Sequence, residues 1–229
     1  MKIEFCIESA VAAKAAQKHG AHRIELCSSL NKDGLTPTIE LIKNCKAVYK
    51  GEIHIMIRPK EGDFHYNQNE IIQMKTEIKL AHQFNLKGVV FGLLLKNGDI
   101  DTNNTKTLHE YAKEFNLETT FHRAFDHCKN PVDNLNQLIN IGVDRLLTSG
   151  QKEKAINGIN LIEELIHLSK KRIQIMAGSG IDEENVMKFS AINVDAVHFS
   201  IHNKEVKASD LNYINEKKIN SILRKLNSQ

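Results

Sequence analysis

Eight short runs rich in β-branched and apolar residues recur along the chain, and a longer stretch of helical period follows each one. The runs are Ile3 to Ile7, Arg23 to Cys27, Ile53 to Arg58, Gly88 to Leu93, Glu118 to His122, Arg145 to Thr148, Ile173 to Ala177 and Ala196 to Phe199. Helical patterns are read near Ala10 to His19, Pro37 to Tyr49, Asn69 to Phe84, Asn103 to Phe115, Pro131 to Ile141, Glu153 to Ser169, Asp182 to Phe189 and Asp210 to Leu226. Pro37 and Pro131 suit first-turn positions, where a missing N–H costs nothing. Strands separated by helical crossovers run parallel. Eight such pairs in 229 residues fit a closed (β/α)8 barrel better than an open doubly wound sheet. The expectation is therefore an α/β chain forming one TIM-like barrel domain over 1–229, since no linker or low-complexity stretch divides it.

Composition removes several functions. The 31 basic and 28 acidic side chains leave a formal charge of +3, too even a balance to argue for nucleic acid or a membrane surface. The basic tail, with Lys217, Lys218, Arg224 and Lys225, reads as the solvated face of a last helix. No apolar run approaches the roughly 20 residues that span a bilayer, and the first residues lack a basic-then-apolar leader, so a cytoplasmic location is expected. Four cysteines without framework spacing read as reduced thiols. No Walker or GxGxxG phosphate motif occurs, so no nucleotide cofactor is expected.

Near the N-terminus the chain writes almost the same strand twice, Ile3-Glu4-Phe5-Cys6 and Ile24-Glu25-Leu26-Cys27. As neighbouring parallel strands in register, these would set Cys6 beside Cys27, each two residues after a carboxylate on the same face. Two thiolates favour a soft ion such as copper(I), whereas a closed zinc site wants four ligands. The plainer alternative is a pair of small, buried, reduced residues, because free cysteine is among the most buried types. Cys45, in a helix, and Cys128, in a loop, are read as incidental.

In a parallel barrel, function gathers just past the strands. Here those positions hold Ile57-Arg58-Pro59 with Gly62-Asp63-Phe64, Phe121-His122-Arg123-Ala124-Phe125-Asp126, Leu147-Thr148-Ser149-Gly150-Gln151, Met176-Ala177-Gly178-Ser179-Gly180 and His198-Phe199-Ser200. Together with Glu25-Leu26-Cys27 and Gly34-Leu35-Thr36-Pro37, these ordered segments resemble the CutC family over about the first 200 residues. The resemblance implies a TIM-like barrel that often self-associates, and a link by name to copper homeostasis and copper(I) binding. On residue matching, Cys6 and Cys27 occupy the two positions proposed to hold copper. Departures from the family pattern are Asp33 and Ser179, where glycine is common, Lys60-Glu61 in place of Arg-Gly, and a short tail after Ser200.

Two functions from different classes follow. One is a copper(I)-binding homeostasis protein using Cys6 and Cys27. The other is a barrel enzyme acting on a small anionic metabolite, with His122, Asp126 and Glu25 as acid–base candidates and Arg58, Arg123, Ser149, Gly178 and Gly180 as anion contacts. Alternation along the fifth strand puts His122 and Arg123 on opposite sides, and His122 is the one expected to face inward. The bland reading of the same residues is an ion-pair network tying loops together, with Asp182 capping a helix after the glycine turn.

Overall fold

A computed structural model of the protein describes residues 1–203, 206, 208–210 and 212–227. Its strands are β1 (Lys2–Ile7), β2 (Arg23–Leu26), β3 (Glu52–Met56), β4 (Gly88–Phe91), β5 (Glu118–Phe121), β6 (Arg145–Thr148), β7 (Gln174–Gly178) and β8 (Ala196–Ser200). The helices between and after them are α1 (Ala10–Lys18), α2 (Ile39–Val48), α3 (Gln68–Gln83), α4 (Thr102–Glu114), α5 (Pro131–Ile141), α6 (Ile159–Ser169), α7 (Val186–Ala191) and α8 (Glu216–Asn227). Every strand pairs in parallel with the next, and β8 pairs with β1, closing the barrel. The (β/α)8 reading therefore holds. No helix among the described residues is long and apolar enough to cross a membrane.

Helix starts follow caps rather than the expected boundaries. Thr38 accepts from the Leu41 N–H and is the N-cap of α2, so Pro37 stands outside the first turn. Pro131 does open α5, which closes on Gly142 at φ +94°. The stretch from Glu153 holds a 3-10 turn over Ala155–Gly158 before α6 begins. Asp182 accepts from the N–H groups of Glu184 and Asn185, holding the turn that leads into α7. Asn215 accepts from the Lys218 N–H, which starts α8 six residues later than the sequence pattern suggests.

The strand faces divide cleanly. Ile3, Phe5, Ile7, Ile24, Leu26, Ile53, Ile55 and Ile57 point outward into the large core beneath the helices. The inward row includes two small apolar groups, Cys6, Cys27, Met56 and Val90 on one side and Leu147, Met176 and Ala196 on the other. Between them lies an ionic floor. Arg23 pairs with Glu4 and approaches Glu52 at 3.9 Å, while Arg145 donates to Glu118 (3.1 Å), Thr120 (2.9 Å) and Gln174 (3.1 Å). Beside it His54 is fully buried, and burial together with the Arg145 cation holds its pKa well below the ordinary value. Its neighbour Gly88 leaves it room: a Cβ there would stand 2.5 Å from the His54 ring and 2.7 Å from the Glu118 carbonyl.

The register of the first two strands differs from the one the repeated Ile-Glu-X-Cys sequence suggests. Phe5, not Ile3, lies opposite Ile24, and Cys6 lies opposite Glu25. Tilted strands in a closed barrel must be staggered, and that stagger shifts the two copies of the repeat by two residues. A shift of two preserves the face, so both thiols still point inward.

Candidate metal centre and barrel mouth

Cys6 ends the inward row of β1, and Cys27 follows β2, where its N–H still bonds to the Ile7 carbonyl at 2.9 Å. Glu25 Oε2 lies 3.3 Å from Cys6 Sγ and 3.5 Å from Cys27 Sγ. Ligand atoms from Cys6, Glu25 and Cys27 all fall within 4.8 Å of one another, and so do those of Glu4, Glu25 and His198. Glu25 belongs to both triads. His198 joins them, with Nδ1 at 2.7 Å from Glu4 and Nε2 at 3.6 Å from Glu25. The second oxygen of Glu25, Oε1, is buried with no hydrogen-bond partner among the described residues.

Electrostatics follow from this packing. Burial, with Arg23 and His198 against it, leaves the Glu4 carboxyl well below its usual range. Burial pushes Glu25 the other way, well above the usual carboxylate value. A hydrogen bond from Cys27 brings the Cys6 thiol down to about 5 despite its burial, with His198 helping. The same bond and burial push Cys27 well up. Burial opposes protonation of His198, but Glu25, Cys6 and Glu4 outweigh it and raise its pKa well above the ordinary value. The result is an imidazolium between Glu4 and a trio that shares one negative charge, centred on Cys6.

A loop covers this trio. Ser28 and Leu35 bond to each other's backbone at 2.9 and 2.7 Å, and Leu30 N–H is tied to Glu8 at 2.8 Å. Gly34, at φ +84°, lies so near Cys27 that a Cβ there would stand 3.2 Å from its Sγ.

Across the mouth, β5 ends at Phe121, and His122 caps the 3-10 turn Arg123–His127. The Ala124 N–H donates to His122 Nδ1 at 3.1 Å, which places the ring proton on Nε2. Burial, then the nearby Arg58 cation, depress the His122 pKa to about 3. His122 is thus held neutral at ordinary pH, with its Nε2–H as a donor. Arg58 is 3% exposed. Its Nη1 donates to the carbonyls of Lys32 (2.9 Å) and Gly34 (3.1 Å), and its Nη2 to that of Gly62 (3.0 Å). Asp126 accepts from Arg123, Thr148, Gln151 and both N–H and Oγ of Ser149, so its oxygens are occupied in holding the loop after β6. Arg123 also donates to Ser149 at 3.1 Å. Arg123, Asp126 and Ser149 therefore form the loop-holding ion-pair network rather than an open cup.

The glycine turn lies apart from Arg58, beyond β6. Gly178 ends β7 against Leu147, Ser179 donates to the Glu153 carbonyl at 2.6 Å, and Gly180 packs on the Lys154 stem. Glu4 and His198 were missed as site residues, although both carried a signal: each sits one alternation step along the inward row, beside Cys6 on β1 and between Ala196 and Ser200 on β8.

Comparison with known proteins gives a consistent picture. The family model described as CutC family matches residues 1–203. The family protein CutC of Vibrio cholerae is 43% identical over 214 residues, covering 93% of this chain and 84% of that one. The crystal structure of CutC from Streptococcus agalactiae, assigned by name to copper homeostasis, superposes with a TM-score of 0.81 at 30% identity, covering 87% of this chain and 98% of that one. The 3-hexulose-6-phosphate synthase of Salmonella typhimurium (TM-score 0.62, 15% identity, covering 100% and 99%) shares the fold alone.

Proposed function

The chain belongs to the CutC family, and from that membership we propose that it serves copper homeostasis by holding one copper(I) ion between Cys6 and Cys27. The observation that carries this reading is the meeting of two buried thiols and the Glu25 carboxylate at one point. Two sulfurs suit a soft monovalent ion that accepts few ligands, and among the described residues no four metal-ligating atoms lie mutually close as a structural zinc wants. Glu25 Oε2, 3.3 and 3.5 Å from the two sulfurs, is the oxygen placed to approach the ion. Binding requires the second thiolate, so Cys27 releases a proton as the ion enters. The ion and two thiolates together carry one negative charge, which the neighbouring His198 imidazolium balances.

The test is competition against a copper(I) chelator with reduced protein. Wild type is expected to take about one equivalent, and the Cys6→Ser/Cys27→Ser double variant to take none while keeping its circular dichroism. Unchanged affinity in that variant rejects the assignment.

A second reading is an enzyme acting on a small anionic metabolite, and the arrangement that favours it is Glu25 held protonated in contact with a thiol of depressed pKa. Such a pair offers an acid and a base side by side. Turnover of a metabolite pool by wild type, lost in Glu25→Gln while copper binding survives, would support this reading over the first.

A further inference from the structure

The inward row of the barrel brings two unsatisfied donors together at the mouth, Arg58 beside the loop that covers the thiols and His122 two strands further round. Met56 of β3 lies opposite Val90 of β4, and Val90 opposite Thr120 of β5. Two residues on, the same row reads Arg58, Gly92, His122. Gly92 has no side chain to separate the outer pair, and a Cβ there would stand 2.4 Å from His122 Nδ1. Arg58 and His122 are both more than nine-tenths buried. Yet Arg58 Nε and His122 Nε2 have no hydrogen-bond partner among the described residues, and neither does the buried hydroxyl of Tyr66.

Arg58 and His122 flank one ring. The Arg58 guanidinium carbon lies 5.0 Å from the centroid of Phe64, and the His122 ring lies 5.1 Å from it. Tyr66 is two residues beyond Phe64 on the same loop; burial pushes its phenol up to about 12, opposed by the Arg58 charge and side chain that lie within reach of it.

The charge balance is as uneven as the hydrogen bonding. No carboxylate among the described residues forms an ion pair with Arg58, whose Nη groups are held by neutral carbonyls. A buried cation without a counter-charge, beside a buried N–H with no acceptor, carries a free-energy cost that a native site removes by binding something. Because Nδ1 of His122 is already an acceptor, the site offers the Nε–H of Arg58 and the Nε2–H of His122 as donors, with the Tyr66 hydroxyl able to add a third.

We propose that Arg58, His122 and Tyr66 form a binding site for the carboxylate group of a small organic acid, covered by Phe64. One positive charge and three donors match a carboxylate, with one charge and two oxygens, better than a phosphate dianion, which brings more charge and more acceptors than this site can answer. The Phe64 ring supplies an apolar wall for the carbon chain of the acid, and its loop must shift to admit the ligand. The donors of this site are distinct from the Cys6, Glu25 and Cys27 trio, although Arg58 is tied through Gly34 to the loop that covers that trio.

The test uses the full-length protein with acetate, lactate, succinate and inorganic phosphate as probes, at ionic strength matched with potassium chloride. Thermal shift and calorimetry report binding, and nitrogen–proton correlation spectra report the Nε–H of Arg58 and the Nε2–H of His122 directly. At least one carboxylate is expected to raise the melting temperature and move both resonances, while chloride does neither. Arg58→Ala risks the fold, because the guanidinium ties three loop carbonyls. The working variants are therefore Tyr66→Phe, which removes only a hydroxyl, and His122→Asn, whose amide oxygen still accepts from the Ala124 N–H. Each is expected to keep the unliganded melting temperature within a few degrees and to weaken carboxylate binding by about tenfold. The proposal is overturned if no carboxylate moves either resonance, if phosphate alone binds, or if affinity is unchanged in both variants.

Discussion

Cys6 stands level with Glu25 on the neighbouring strand, and Cys27 lies two residues further on, so the two thiols meet on a diagonal. Two residues of rise combined with one interstrand spacing separate their Cα atoms by roughly 8 Å. That exceeds the ~7 Å beyond which two cysteines cannot be bridged without backbone movement. A metal ion with two sulfur bonds of about 2.3 Å each does span such thiols. The pair is spaced too widely for a covalent link, as the proposed ion would require. Incubation with oxidised glutathione should therefore leave no Cys6–Cys27 crosslink in a non-reducing peptide map of the folded protein, and finding that crosslink would show the register to be wrong.

His122 should make its own contribution to loss of stability on mild acidification. The folded pKa of His122 is about 3, below the ~6.5 of an unfolded histidine. Between these values the unfolded chain binds a proton that the folded chain refuses, so stability is complete above about pH 6.5 and falls as pH drops toward 3. For His122 alone the loss between about pH 6.5 and pH 5 is about 2 kcal/mol. His54, depressed in the same direction by burial and Arg145, adds to it. Urea unfolding at the two pH values should show a smaller difference in His122→Asn than in wild type. An equal difference would mean that His122 is protonated in the folded protein.

Gly88→Ala should destabilise the barrel by about 1–3 kcal/mol. The added methyl meets the His54 ring on one side and the Glu118 carbonyl, which is backbone, on the other. Neither yields easily, because His54 is fully buried and the carbonyl belongs to the strand ladder. A variant that unfolds at the wild-type urea midpoint would show that the floor of the barrel is looser than these contacts imply.

The barrel itself was legible because eight apolar runs and eight helical periods are properties of local sequence. Their ends were less so: α2 and α8 begin at the caps Thr38 and Asn215, and a cap is recognised only by the N–H it accepts from. The register of Cys6 was hidden because barrel stagger belongs to the closed sheet and not to either strand. From sequence Asp126 could be read as an acid–base group or as part of an ion-pair network, and only the packed loop after β6 brings the donors of Ser149, Thr148 and Gln151 to it. Asp33 and Ser179, noted as departures from a glycine pattern, adopt φ of +62° and +81°. Glycine is the residue that takes such angles without steric cost, which gives the pattern its physical reason.

Gly34 sets a kinetic property. Cys27 has no solvent exposure, and the loop that buries it is pinned at Leu30 by Glu8 and closed by the Ser28–Leu35 bridge. Under the proposed copper reading, an ion exchanging between water and the thiols would have to wait for that loop to open, so its residence time would be governed by a backbone motion and not by the lability of a copper–sulfur bond. A site with that kind of door behaves as a reservoir, filled and emptied slowly, whereas a courier handing copper from protein to protein needs its thiols at the surface.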